Sequence, residues 1–155
     1  MGDITQPLHC CALVNDDFAA PDGDRGGNLV FVRAGSGKGV PLHKMWDEAT
    51  GTSQGFHAKL LRGYTNKAVR FADLFQRGDL GELGQNTTPE SWARESWRVA
   101  VDQAYLQGRL QYGKNAETAV VLPEGYTKNL KAVAERRVTL AGFRLADLIC
   151  EVLPH

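Results

Sequence analysis

Four side chains of the 155-residue chain are natural ligands for a divalent metal: Asp3, His9, His43 and Asp47. Imidazole nitrogen and carboxylate oxygen both bind zinc, and a catalytic zinc keeps three protein ligands and one open position. His43 and Asp47 stand four residues apart in "PLHKMWDEA", so a helix there puts both on one face. His9, in "GDITQPLHCC", joins them if the intervening loop folds back. A two-histidine, one-carboxylate set also suits other divalent metals. Spacing alone does not decide the matter, since a His four residues from an Asp on a helix is more often a surface pair. Asp3, near the chain start, reads as a solvated carboxylate when taken by itself.

Other motifs carry less. "GSGKG" lacks the full phosphate-loop pattern, with Gly39 where a magnesium-binding hydroxyl should stand, and reads as a turn. "DGDRGG" fails calcium-loop spacing and has no closing Glu. His57 reads as a surface or boundary histidine on a helix, and "NTT" at Asn86 is a glycosylation pattern common by chance. Three cysteines, two of them adjacent, do not make a disulfide framework and read as small, buried, reduced side chains.

The elements that must position the four ligands can be read from periodicity and punctuation. Residues 1–9 read as a helix end interrupted by Pro7, and residues 12–27 as a polar loop rich in Gly and Asp. "LVFVR" (residues 29–33) predicts a short strand and "AGSGKG" a turn. A helix starts at Leu42, and Phe56, Leu60, Tyr64, Ala68, Phe71 and Phe75 predict a longer one. "RGDLGELGQN" reads as a linker. Thr88 predicts an N-cap with Pro89 at the first helical position, followed by a buried stripe of Trp97, Val101, Ala104 and Tyr105 that stops near Gly108. The last helix carries an apolar stripe from Leu130 through Val133, Ala134, Val138, Ala141, Leu145, Leu148 and Ile149 to Val152, with Gly142 implying a close helix contact. The class is mainly α with one short strand pair, in one domain over residues 1–155.

Lys plus Arg number 18 and Asp plus Glu 18, so no global field draws in nucleic acid, and any phosphate must be held locally. Hydrophobic residues at 43% and charged residues at 23% suit a globular chain. No apolar run spans a membrane and no export signal opens the chain, so a cytoplasmic location is expected for the sequence as written.

"GDITQPLH", "DRGGNLVFV" and "LHKMWD", in that order, resemble the zinc-dependent single-strand nucleases of fungi, plants and bacteria. "WARESWRVAVDQAY" and "RRVTLAGFRLADLI" resemble that family's later helices, so the likeness covers nearly the whole chain. It implies a helical zinc nuclease or phospholipase C-like fold and up to three zinc ions. It also implies single-stranded nucleic acid or nucleotides as partners, and endonuclease hydrolysis of single-stranded DNA and RNA to 5′-phosphorylated products. Carried over by motif, His9, His43 and Asp47 match the full ligand set of one zinc. Asp3 matches a carboxylate bridging the other two, and Asn28 a polar residue at the substrate phosphate. Relatives are longer and carry further ligands upstream of the "GD". The expectation is therefore an N-terminally truncated, C-terminal portion of a nuclease domain, with one complete zinc site and impaired activity. Self-association or reliance on an N-terminal fragment is expected too, whereas intact relatives are secreted or periplasmic. The alternatives are a non-catalytic metal- or phosphate-binding remnant and a zinc phospholipase C-like phosphodiesterase.

Overall fold

The structure is a computed structural model and describes residues 2–51, 69–71 and 73–153. His57 and the Phe56, Leu60, Tyr64 and Ala68 positions of the expected long helix lie outside the described residues. Helices dominate: α1 (Gly2–Thr5), α2 (Leu42–Asp47), α3 (Glu82–Gln85), α4 (Pro89–Val99) and α5 (Tyr126–Val152). Three short strands, β1 (Phe31–Arg33), β2 (Val40–Pro41) and β3 (Val120–Val121), form a sheet in the order β2-β1-β3. The expected strand pair is β1 with β2, antiparallel, with Val32 opposite Val40. The third strand pairs parallel to β1, Val32 opposite Val120. Two residues of strand in "AVV" leave too short an alternation to be read from sequence.

α2 has six residues, too few to hold a helix by local bonding alone. Packing holds it. Leu42 is fully buried and Trp46 almost so, and both belong to the core with Leu8, Val30, Val32, Ala100, Ala104, Tyr105 and Leu130. Burying a leucine of this size contributes about 2–3 kcal/mol. The Trp46 indole N–H donates to the Tyr126 hydroxyl at 3.2 Å, which donates to the Ala104 carbonyl at 2.8 Å. That relay joins α2 to α5 and to the helical turn Ala100–Ala104, and it fixes the residue just before Asp47.

α4 begins as its sequence indicates. The Thr88 hydroxyl accepts from the Ser91 N–H and the Ser91 hydroxyl from the Thr88 N–H, with Pro89 at the first position. The buried stripe of α4 and the turn Ala100–Ala104 is Trp92, Ser96, Ala100 and Ala104, at spacing four; Ala104 and Tyr105 of the expected stripe are buried, whereas the expected phase through Trp97 and Val101 is corrected by one residue. Trp97 is 49% exposed. Ser96 wins the inner position because its hydroxyl donates to the Ile4 carbonyl and accepts from the Arg137 guanidinium, so a polar residue was the buried one.

Residues 77–86 are also more ordered than a linker. A short 3-10 turn Arg77–Asp79 leads into α3, and Leu80 is buried. Arg136 of α5 pairs with Glu82 at 2.7 Å and donates to the Asp79 carbonyl at 3.1 Å, which ties the segment down.

α5 buries Leu130 and Ala134 of the expected stripe, but Val138, Leu145, Leu148, Ile149 and Val152 are exposed. Past Ala134 the inward face is Arg137, Leu140 and Arg144, with both guanidiniums paired to Glu95 of α4. Charge-assisted bonds make those arginines the buried partners. Among the described residues nothing lies within 4 Å of a Cβ placed at Gly142, so none of them makes the close contact inferred there. Cys10 and Cys11 are half-buried and Cys150 is exposed; all three are free thiols.

Candidate metal centre

Two backbone segments bring the ligands together. α1 ends at Thr5, whose carbonyl accepts from Arg137, and the 3-10 turn Pro7–Cys10 follows. Gln6 caps that turn with its side-chain oxygen on the Leu8 N–H. Leu8 is buried, so the next residue, His9, faces outward.

The second segment is the loop before β1, organised by Asp24. This carboxylate is fully buried and has no cation partner among the described residues. Instead it accepts from the Leu13 N–H at 2.8 Å, the Gly27 N–H at 3.0 Å and the Tyr105 hydroxyl at 2.6 Å. Three donors offset the cost of burying the charge. Burial, then the Asp24 carboxylate, pushes the Tyr105 hydroxyl far above its ordinary range, so it stays a donor. Gly26 (φ 64°) turns the chain against Leu8, where a Cβ would strike the Leu8 carbonyl oxygen. The turn delivers two carbonyls to α2: Gly27 accepts from the His43 N–H at 3.2 Å, and Gly26 accepts from His43 Nδ1 at 2.7 Å.

The result is a convergent donor set. His9 Nε2 and His43 Nε2 lie 3.2 Å apart, with the rings stacked at 5.0 Å between centroids. Asp47 offers Oδ1 at 3.7 Å from His9 Nε2 and Oδ2 at 3.5 Å from His43 Nε2. One ligand atom from each of the three residues lies within 4.8 Å of the others. The hydrogen bonds assign the tautomers. His43 Nδ1 faces a carbonyl, which only accepts, and so must carry the proton. His9 Nδ1 faces the Asp3 carbonyl at 3.1 Å and the Asp3 carboxylate at 2.9 Å, again acceptors. With its proton on Nδ1, each ring turns Nε2 toward the other. Two lone pairs at that distance repel unless a proton or a cation lies between them. Around zinc, two nitrogens at about 2.0–2.1 Å in tetrahedral array are about 3.3 Å apart. The donor set fits such an ion in ligand type and edge length. Each imidazole has the hydrogen-bonded far nitrogen usual for a metal-binding histidine.

Asp47 has an outer partner too, as Gln6 Nε2 donates to its Oδ1 at 3.0 Å. Gln6 and Asp24 are the residues that sequence reading missed. Gln6 stands in the same "QPLH" string as His9, and its signal was its place at a turn just before a proline. Asp24 lies in "DGDRGG", where its company of glycines signalled a tight turn but not a buried carboxylate.

Asp3 is not part of the convergent set. Its side chain is 87% exposed and orients His9 through one oxygen. Asn28 lies on the same glycine turn, exposed, with its amide donating to the Arg25 carbonyl at 2.8 Å. Asp3, His9, Arg25, Gly26 and His43 line an open depression of about 440 Å³. Burial pushes the neighbouring thiols upward, Cys10 above its ordinary value and Cys11 to about 12.

The sequence matches the family model for S1/P1 nuclease over residues 1–154. The chain belongs to the S1/P1 nuclease family. The match spans essentially the whole chain and agrees with the mainly helical fold. This family comprises metal-dependent nucleases, so its members bind nucleic acid as substrate. Among the described residues of this S1/P1 nuclease family member, one group could hold a metal, His9–His43–Asp47. No curated protein and no solved structure gives a match. No helix among the described residues is long and apolar enough to cross a membrane.

Proposed function

We propose that the chain is a zinc-dependent phosphodiesterase acting on single-stranded DNA and RNA and leaving 5′-phosphorylated products. The observation that carries this reading is the pair of Nε2 lone pairs facing each other at 3.2 Å beside the Asp47 carboxylate. His9, His43 and Asp47 would hold the metal. A zinc bound there would neutralise phosphate oxygens and the departing 3′ oxygen.

The chain's own groups set the rest. The Gly26 carbonyl and Asp3 accept from His43 Nδ1 and His9 Nδ1 and so aim both Nε2 atoms inward. Gln6 holds Asp47 in place. Asp3 has a second carboxylate oxygen with no bond among the described residues, and we assign it the taking up of a proton or a further cation during attack. Asn28 is assigned to the substrate phosphate, to which its amide can donate if it exchanges the Arg25 carbonyl for a phosphate oxygen.

The test is release of 5′-mononucleotides from single-stranded DNA by the purified chain, before and after chelation and with zinc restored. Expected is activity lost on chelation, regained with zinc, and absent in His43→Ala and Asp3→Ala. Tight zinc binding without any turnover would favour a binding module, a reading that the single three-ligand group among the described residues also supports.

A further inference from the structure

α4 displays an arrangement that the metal centre does not use. Arg94, Trp97 and Arg98 stand at spacings of three and four on its outer face, and all three are exposed. Trp97 is 49% exposed, while Trp46 and Trp92 are buried. Most helical arginines are paired: Arg70 with Glu135, Arg77 with Asp147, Arg136 with Glu82, and Arg137 and Arg144 with Glu95. Arg94 and Arg98 have no acceptor among the described residues. With Ala93 and Cys10 they line a depression of about 550 Å³. Cys10 directly follows the ligand His9. The buried Ser96 hydroxyl fixes this face to the ligand-bearing segment through the Ile4 carbonyl.

We propose that Trp97, Arg94 and Arg98 form a platform for single-stranded nucleic acid beside the metal centre, one unpaired base stacking on the indole and neighbouring phosphates meeting the two guanidiniums. The inference rests on the nuclease reading for the choice of occupant, and charge supports it independently. In a chain with no net charge, two arginines that make no ion pair among the described residues flank its most exposed tryptophan. An indole face accepts any base, and stacking needs a base free of its duplex partner. The platform therefore favours unpaired strands without reading their sequence.

The test is fluorescence anisotropy with a labelled phosphorothioate homothymidine strand, which resists cleavage, titrated over a range of salt. Trp97→Ala should weaken binding about 10-fold or more, and Trp97→Phe should retain most of it. Arg94→Gln with Arg98→Gln should lower the slope of log affinity against log salt by about 1 to 1.5. Binding of a duplex should be unaffected by Trp97→Ala. Hydrolysis of bis(p-nitrophenyl) phosphate, which has no flanking base, should match wild type in all these variants, and their circular dichroism should be unchanged. Unaltered single-strand affinity in Trp97→Ala would overturn the inference while leaving hydrolysis intact. So would Trp97-dependent self-association of the chain without any effect on the strand, which would assign the face to a second copy. Conversely, Trp97-dependent strand binding by a chain that hydrolyses nothing would support the platform and refute the nuclease reading.

Discussion

His43 Nδ1 donates to the Gly26 carbonyl at 2.7 Å across seventeen residues, and this bond fixes the outward tautomer of the ligand. A metal-binding imidazole in a loop-facing helix would otherwise rotate and exchange tautomers freely. Here a glycine turn, held by Asp24, makes that choice in advance.

Asp24 is accordingly expected to matter to metal binding without touching the metal. Asp24→Ala would leave the Leu13 and Gly27 N–H groups and the Tyr105 hydroxyl without their acceptor. Each buried donor so orphaned costs about 1–3 kcal/mol. The expected result is a large loss of stability in chemical denaturation together with weaker zinc binding. Tyr105→Phe removes one of the three bonds and should cost about 1 kcal/mol, with zinc affinity nearly retained.

Gln6 gives a more selective test. Gln6→Met keeps the side-chain volume but frees both Asp47 Oδ1 and the Leu8 N–H that Gln6 caps. Loss of such an outer hydrogen bond typically costs about 10- to 100-fold in metal affinity, and the lost cap costs about 1 kcal/mol of stability. Titration of the metal-free protein with zinc checks this, and an unchanged affinity would remove Gln6 from the site.

For Asn28 the expectation concerns phosphate rather than metal. Asn28→Ala should leave zinc content intact and weaken inhibition by inorganic phosphate or a 5′-mononucleotide. Its bond to the Arg25 carbonyl offers a competing account, in which the amide only supports the turn. Lowered thermal stability with phosphate inhibition unchanged would select that account.

The candidate residues were legible from short strings: His43 and Asp47 share a helical face, and "QPLH" and "LHKMWD" are specific, whereas the approach of His9 to His43, 34 residues away, depends on the loop between them. Capping at Thr88 and Pro89 was equally plain, since such signals are read over three residues. What sequence hid was long-range. Arg137 and Arg144 sit inside because Glu95 waits on another helix, and no periodicity of apolar residues can announce a buried ion pair. The same exchange of polar for apolar at Ser96 shifted the phase of α4 and put Trp97 outside. Asp24 was hidden because its three donors come from three distant segments, Leu13, Gly27 and Tyr105.

The central claim, that His9, His43 and Asp47 together hold one metal, is tested most directly by zinc content per chain after dialysis, measured on wild type and His43→Ala. The account predicts about one tightly held zinc per chain in wild type and none in the variant. It also predicts that zinc raises the melting temperature of wild type alone, because an ion that binds only the native state stabilises it. Equal zinc content in the two proteins would contradict it.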